Sequence, residues 1–438
     1  MGTGHDRFAS RSELTVVGEE FRDMAVGIRH DDLRRSNRGM VISAVRRAGQ
    51  PSRTEIAGVT GLSHSTISAI SSNLIAEGIL SEAKGAEPST LKRGRPQVAI
   101  GLNPDAAAVL TLVLSLNSLS GTLCDYAGQV IAEEHARPST MTIGREALIA
   151  EVTAIARRLI ASPRLGKRSV LRIVLAIQGI TDAAGRTMLW TPITAHGDIP
   201  FGDILETATG VSTTVENDCN MIAVALRWRR PDRYRDDMIA ILLSHGIGMG
   251  LVLRGQLFTG THSSGGEFGH MIHRPDGALC RCGRRGCVEA YAGNYAIWRN
   301  ARQADENEAP LVDLKDADML ALANEARRVD GPEREAFRRA GEAIGFGLGS
   351  LFALIDPAPV AFVGYGASAF DLIEPSMLDA IARTAGGQHS KALSFDAEPD
   401  EIPLIREGCT VHALTHVDQE VFAPGMFSPA FGASRHVA

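Results

Sequence analysis

Three of the chain's six cysteines fall within the run CRCGRRGC, Cys280 to Cys287, and two histidines, His270 and His273, stand just upstream. This cluster restricts the fold more than any other feature, because thiols so close together either bond to one another or share a ligand. No secretory leader is visible near the start, which is polar and charged without an apolar stretch. The best apolar runs, AAAVLTLVLSL and AIGFGLGSLFALI, fall short of the ~20 residues that cross a bilayer. A cytoplasmic protein without membrane contact is therefore expected, and there a cysteine cluster points to metal or catalysis before disulfides. Three thiolates and one imidazole make a soft tetrahedral donor set, that of Cys3His zinc: Cys280, Cys282 and Cys287 with His270 or His273. Protein fills all four positions, so the expected zinc is structural and offers no open place for catalytic water. Iron–sulfur chemistry lacks a fourth nearby cysteine, and redox chemistry lacks a C-x-x-C pair.

Charge is distributed unevenly. The chain carries a net charge of −6, yet Arg34 to Ala99 holds ten basic against four acidic residues, leaving −12 for the remainder. A basic module on an acidic body points to nucleic acid for the first and a neutral or small ligand for the second. Within the basic window, Val41, Ile42, Val45 and Ala48 share one helical face, and Gly49 stops that helix. Ser52-Arg53-Thr54-Glu55 reads as a capping box opening a short second helix. Thr60-Gly61 turns the chain. Ser63 caps a third helix with Ile67, Ile70 and Leu74 facing inward. This is the plan of a helix-turn-helix. His64, Ser65, Thr66 and Ser68 face outward at the start of the third helix, small or polar enough to enter a major groove. The stretch after Gly78 reads as a wing, with Lys92, Arg93 and Arg95 available for phosphate or a minor groove. Arg53 is a further candidate DNA contact.

The body that follows is α/β. VLTLVLSLN, SGTLCDYAG and VIAEEHA read as a three-strand meander with turns at Ser118–Ser120 and Ala127–Gly128. An amphipathic helix (Leu148, Val152, Ile155, Leu159) and a buried strand ending near Gly179 come next. STTVENDCNMIAVALRW reads as strand, turn, helix, and MIAILLSHGIGMGLVLRGQLFTG as strand, glycine turn, strand. Three strands followed by alternating elements, given twice, predict two lobes with a cleft between them. Asn217-Asp218 at a strand-to-helix turn can bind vicinal sugar hydroxyls or simply cap a helix. The glycines of Ser244–Gly250 can leave amides free for phosphate or form a tight hairpin. The expected segments are a tail over 1–31, the winged helix over 32–103, lobes over 104–220 and 221–420, and a tail over 421–438.

GEFGH followed by CRCGRRGCVEAYAG, with VENDCN upstream, resembles the ROK family of repressors, open reading frames and sugar kinases. The resemblance runs from about Ser36 to Asp379, and the winged helix places the chain with the repressor branch. It implies an actin-like, ribonuclease-H-like two-lobed body. It also implies that His270, rather than His273, completes the zinc set. A sugar site of Gly179, Asn217, Asp218, Glu267, His270 and Glu289 is implied by the same match. The departures carry as much weight. Where the family's kinases bear the phosphate loop DxGGT, this chain reads VLSLN, Val113 to Asn117. Their GTGxGxG reads SHGIGMG here. Losing both loops removes the positioning and charge neutralisation on which phosphoryl transfer depends. No enzyme activity is expected. The expectation is a sugar-responsive repressor, a homodimer or dimer of dimers on a palindromic operator, with a monosaccharide or derivative between the lobes. A sugar kinase with a fused DNA-binding domain, or a regulator controlled by a protein partner, is the alternative.

Overall fold

Gly49 and Gly61, at φ of 78° and 71°, end the first two helices in a conformation that glycine adopts without strain. The result is α1 (His30–Ala48), α2 (Arg53–Thr60) and α3 (His64–Ala76). The computed structural model describes residues 30–83, 98–261, 263, 265–310, 314–387 and 393–425. It divides into two units, Met1–Leu102 with Asp418–Pro429, and Asn103–Val417 with Ala430–Ala438.

In the first unit, Val41, Ile42 and Val45 of α1 meet Ile56 of α2 and Ile67 and Leu74 of α3, all fully buried. The capping box closes in both directions. Ser52 Oγ accepts from the Glu55 amide at 3.3 Å, and Glu55 accepts from the Ser52 amide at 2.7 Å. Ser63 Oγ accepts from the Thr66 amide to start α3. Strands β1 (Leu80–Ala83) and β2 (Ala99–Leu102) pair antiparallel, with Leu80 opposite Leu102. The rest of the expected wing, with Lys92, Arg93 and Arg95, lies outside the described residues. Residues 418–425 also belong to this unit. Asp418 receives a two-point ion pair from Arg46 of α1, Nε to Oδ2 at 2.6 Å and Nη2 to Oδ1 at 2.9 Å. Both side chains are almost wholly buried, 6% and 5% exposed. Arg38 donates to the Phe422 carbonyl at 2.9 Å and pairs with Glu77.

The second unit holds two five-stranded sheets. The first contains β3 (Ala108–Ser115), β4 (Ser118–Asp125), β5 (Val130–Ala136), β6 (Val170–Ile177) and β9 (Thr213–Asn217), ordered β5-β4-β3-β6-β9. A small ribbon of β7 (Ile180–Thr181) and β8 (Met188–Trp190) interrupts it in sequence. The second contains β10 (Met238–Leu243), β11 (Ile247–Leu253), β12 (Gln256–Phe258), β13 (Val360–Val363) and β14 (Phe395–Glu398), ordered β12-β11-β10-β13-β14. Each sheet is an antiparallel meander whose first strand pairs in parallel with a fourth, and the fourth with a fifth. The repeated plan expected from the sequence is therefore present twice. The first meander's turn falls at Leu116–Asn117, not at Ser118–Ser120. Asn117 takes φ of 53°, and its amide and side chain bond Thr140, so the chain reverses there.

Helices flank the sheets: α4 (Arg145–Ile160), α5 (Phe201–Thr209), α6 (Asp218–Arg229), α7 (Asn294–Ala301), α8 (Asp316–Arg328), α9 (Pro332–Ile355), α10 (Phe370–Ala382) and α11 (Glu401–His416). Leu148, Val152, Ile155 and Leu159 of α4 are buried as their spacing predicts. Among the described residues, no helix is long and apolar enough to cross a membrane.

Candidate functional site

The register of the parallel strands sets out the site. Ile177, the last residue of β6, lies beside Asn217, the last residue of β9. The chain leaves these carboxyl ends as Gln178-Gly179 and as Asn217-Asp218, the place where open α/β sheets bind ligands. Of the two roles open to it, Asn217 takes that of helix cap and also ties down the strand end opposite. Its Oδ1 accepts from the Asn220 amide to cap α6, and its Nδ2 donates to the Gly179 carbonyl at 2.8 Å. Gly179 has φ of 149°, and an added Cβ would lie 2.2 Å from the Trp190 carbonyl oxygen. No side chain fits there without moving backbone.

These residues line a cleft together with Glu267, His270, Glu289, Trp190, Arg281 and the β10–β11 turn. All six sugar-site candidates, Gly179, Asn217, Asp218, Glu267, His270 and Glu289, come together in it. Asp218 is buried, and that burial pushes its carboxyl up to about 7 against the bond from the Cys219 amide. Glu289 is also buried and accepts from the Ile247 amide at 3.0 Å. Burial, with Glu289 nearby, raises the Glu267 carboxyl, and His270 opposes the rise. The arrangement offers several hydrogen-bond acceptors around a small polar volume, which suits a polyhydroxylated ligand.

The Cys3His knuckle forms one wall. The ligand atoms of His270, Cys280, Cys282 and Cys287 all lie within 4.8 Å of one another. The sulfurs of Cys282 and Cys287 are 3.8 Å apart, and Cys280 Sγ lies 3.8 Å from His270 Nδ1. A tetrahedral zinc with bonds of about 2.3 Å to sulfur places its sulfurs about 3.8 Å apart, so the donor set fits that ion. His270 turns its other nitrogen, Nε2, toward Glu267 at 3.8 Å. His273 stands apart. Its ring lies edge-on to Tyr291 at 5.0 Å and near Phe346. Gly286, at φ of 78°, folds the loop against Arg274, whose carbonyl oxygen would sit 1.8 Å from an added Cβ. Glu289 approaches Cys280 Sγ at 3.7 Å, so the knuckle and the cleft share this wall.

The two segments compared above with phosphate loops, Val113–Asn117 and Ser244–Gly250, both turn between antiparallel strands. Val113–Asn117 ends in the turn pinned by Thr140. In Ser244–Gly250 the Ser244 amide donates to the Gly246 carbonyl. Gly248 and Gly250 lie inside β11, where an added Cβ would meet Cys219 of α6 at 2.4 Å and 2.2 Å. Those glycines serve the close approach of helix to sheet.

On the first unit, His64, Ser65 and Ser68 are exposed at the start of α3, and Thr66 is half-buried against Ser63. Arg53 pairs with Glu82 at 3.3 Å. Arg93 and Arg95 lie outside the described residues. Sequence reasoning missed Gln178, Trp190 and Arg281 as cleft residues. Arg281 sits between two metal-ligand candidates and carried a signal by position; Trp190 reaches the cleft from a ribbon with no motif.

Comparison with known proteins agrees with this geometry. The sequence model of the ROK family matches residues 116–397. The xylose repressor of Caldicellulosiruptor bescii is 26% identical over 351 residues, covering 78% of this chain and 86% of that protein. The DNA-binding transcriptional repressor Mlc of Escherichia coli is 23% identical over 369 residues, covering 84% and 90%. Among solved structures, a ROK family transcriptional regulator homologous to E. coli Mlc superposes with a TM-score of 0.72 at 22% identity, over 87% of this chain and 97% of that one. A ROK family glucokinase from Streptomyces griseus, with glucose and AMPPNP bound, matches with a TM-score of 0.55 at 22% identity, over 69% of this chain and 98% of its own. With its family model matched across more than half its length, and a winged helix joined to the paired-sheet body, the chain belongs to the ROK family.

Proposed function

We propose that this protein is a sugar-responsive transcriptional repressor, with its winged helix as output and the cleft of Asn217, Asp218, Glu267, His270 and Glu289 as input. The observation that carries the reading is the presence of both parts in one chain: a helix-turn-helix with an exposed α3 start, and a cleft lined by Asn217, Asp218, Glu267 and Glu289. The names of the relatives, a xylose repressor and Mlc, support the same class. His64, Ser65, Thr66 and Ser68 read base edges or phosphates, and Arg53, Arg93 and Arg95 add phosphate or minor-groove contacts. Two copies on a palindromic operator match the two-fold symmetry of such sites.

In the cleft, Gly179 gives backbone close access to the sugar. Asn217 presents a fixed amide, and Asp218, Glu267 and Glu289 accept from its hydroxyls. A monosaccharide that binds one lobe arrangement better than another shifts the population between DNA-competent and incompetent states. His270, Cys280, Cys282 and Cys287 hold a structural zinc, which supplies a cross-link that keeps Glu267 and Glu289 in place. Phosphoryl transfer is not part of this reading. The absence of the DxGGT residues from Val113–Asn117, and Ser244-His245 in place of Gly-Thr, support that exclusion.

The test is a thermal-shift panel of monosaccharides and amino sugars on the full chain, followed by operator binding with each stabilising sugar. A true ligand raises the melting temperature by mass action and changes operator affinity. A protein whose operator affinity no carbohydrate alters does not have this function.

A further inference from the structure

The cleft is rich in acceptors and poor in donors. Asp218, Glu267 and Glu289 only accept when ionised. Asn217 Nδ2 already donates to the Gly179 carbonyl, and the Arg281 guanidinium stands over the Tyr295 ring at 5.0 Å. Three carboxylates can take the hydrogens of a sugar's hydroxyls. A ring oxygen has no hydrogen to give and has to be met by a donor. Gln178 is placed to supply one. It lines the cleft and is half-buried. Among the described residues, its carboxamide has no hydrogen-bond partner.

The direction of that side chain is marked by the turn opposite. A Cβ added at Gly246, between β10 and β11, would lie 2.8 Å from Glu289 Oε2 and 3.9 Å from Gln178 Nε2. The carboxamide thus reaches from the end of the first sheet to the β10–β11 turn of the second, where Glu289 accepts from the Ile247 amide. Its backbone is pinned. The Gln178 carbonyl accepts from Thr191 Oγ1 at 2.5 Å, and the Gly179 carbonyl from Asn217 Nδ2 at 2.8 Å. A donor on a fixed base, beside a carboxylate that is itself held, loses little freedom when a ligand arrives.

We infer that Gln178 is a specificity-determining residue of the cleft: its Nε2 donates to the ring oxygen of a bound sugar, beside Glu289, which accepts from a neighbouring hydroxyl. The assignment rests on the sugar reading given above.

The experiment uses the full chain with D-xylose, D-glucose, D-galactose and D-mannose, each beside its carba analogue, in which a methylene replaces the ring oxygen. Binding is followed by calorimetric titration for the wild type, Gln178→Leu, Gln178→Glu and Trp190→Phe. The first two variants remove the carboxamide donor, and the third removes the indole N–H on the same lining. Unchanged zinc content and melting temperature without sugar show that the variants are folded. The wild type should prefer a sugar over its carba analogue by about three- to tenfold, the worth of one net hydrogen bond. Gln178→Leu and Gln178→Glu should erase that preference, and Trp190→Phe should keep it. A wild type that binds a sugar and its carba analogue alike overturns the inference alone. So does a preference that survives in both Gln178 variants, or one that only Trp190→Phe removes. A wild type that binds none of the four sugars removes the sugar reading, and the role of Gln178 with it.

Discussion

Replacing Asp418 with alanine removes the carboxylate that meets the buried Arg46 guanidinium at two points. In the intact protein the two side chains are 6% and 5% exposed and meet through two bonds of 2.6 Å and 2.9 Å. Breaking a buried pair from one side costs about 3–5 kcal/mol, because the remaining charge has lost both its partner and its water. In a unit of roughly 60–100 residues each kcal/mol moves the melting point by about 4–8 °C. The transition of the DNA-binding unit is therefore expected to fall by at least about 10 °C. Scanning calorimetry follows both units, whereas tryptophan fluorescence follows only the second, since Trp190, Trp228 and Trp298 all lie within Asn103–Val417. The calorimetric loss should appear without a matching change in fluorescence. The double replacement Arg46→Met with Asp418→Leu, which removes both charges, should recover most of it. A single variant that melts within about 2 °C of the wild type, or a double variant no better than the single, would refute the reasoning.

Cys282→Ser should lose zinc, measured by elemental analysis, and sugar response with it; a normal response in a metal-free variant breaks the proposed link between knuckle and cleft. Burial lifts the Asp218 carboxyl to about 7, so the proton leaves only as pH rises through that value. Sugar affinity should therefore grow with pH up to about 7 and weaken by at most tenfold per unit below it, a slope that titration calorimetry should find missing in Asp218→Asn. Gly179→Ala forces a methyl to within 2.2 Å of the Trp190 carbonyl oxygen at a φ that side chains avoid. Sugar-induced stabilisation should disappear in that variant while operator binding persists, as gel shift with and without sugar will show.

The helix-turn-helix was legible residue by residue, because its signals are local. Ser52 with Glu55, Gly61 and Ser63 act on amides at most four residues away. The knuckle was legible for the same reason, its donors lying between His270 and Cys287. His270 and His273 could not be told apart by spacing, since the choice depends on Tyr291 and Phe346 packing around the second ring. The first meander's turn was placed two residues late, because Thr140, which holds Asn117, comes from a separate loop. Gln178 reads in sequence as the residue after a buried strand, and only folding brings Gly246 and Glu289 to it. Residues 418–425 carried no readable pattern, because the arginines that hold them lie more than 370 residues earlier in the chain.

That last separation bears on how the protein is made. Asp418 leaves the ribosome 372 residues after Arg46, a delay of roughly 20–75 s at bacterial-to-eukaryotic rates of synthesis of about 5–20 residues per second. Throughout that interval the nascent winged helix has its three helices but not the carboxylate for Arg46 or the carbonyl that Arg38 reaches at Phe422. Its final fasteners arrive only after both sheets and the knuckle have been translated. A chain interrupted before Asp418 should thus carry a weakened helix-turn-helix unit, whose last fasteners become available only once the larger unit has been translated.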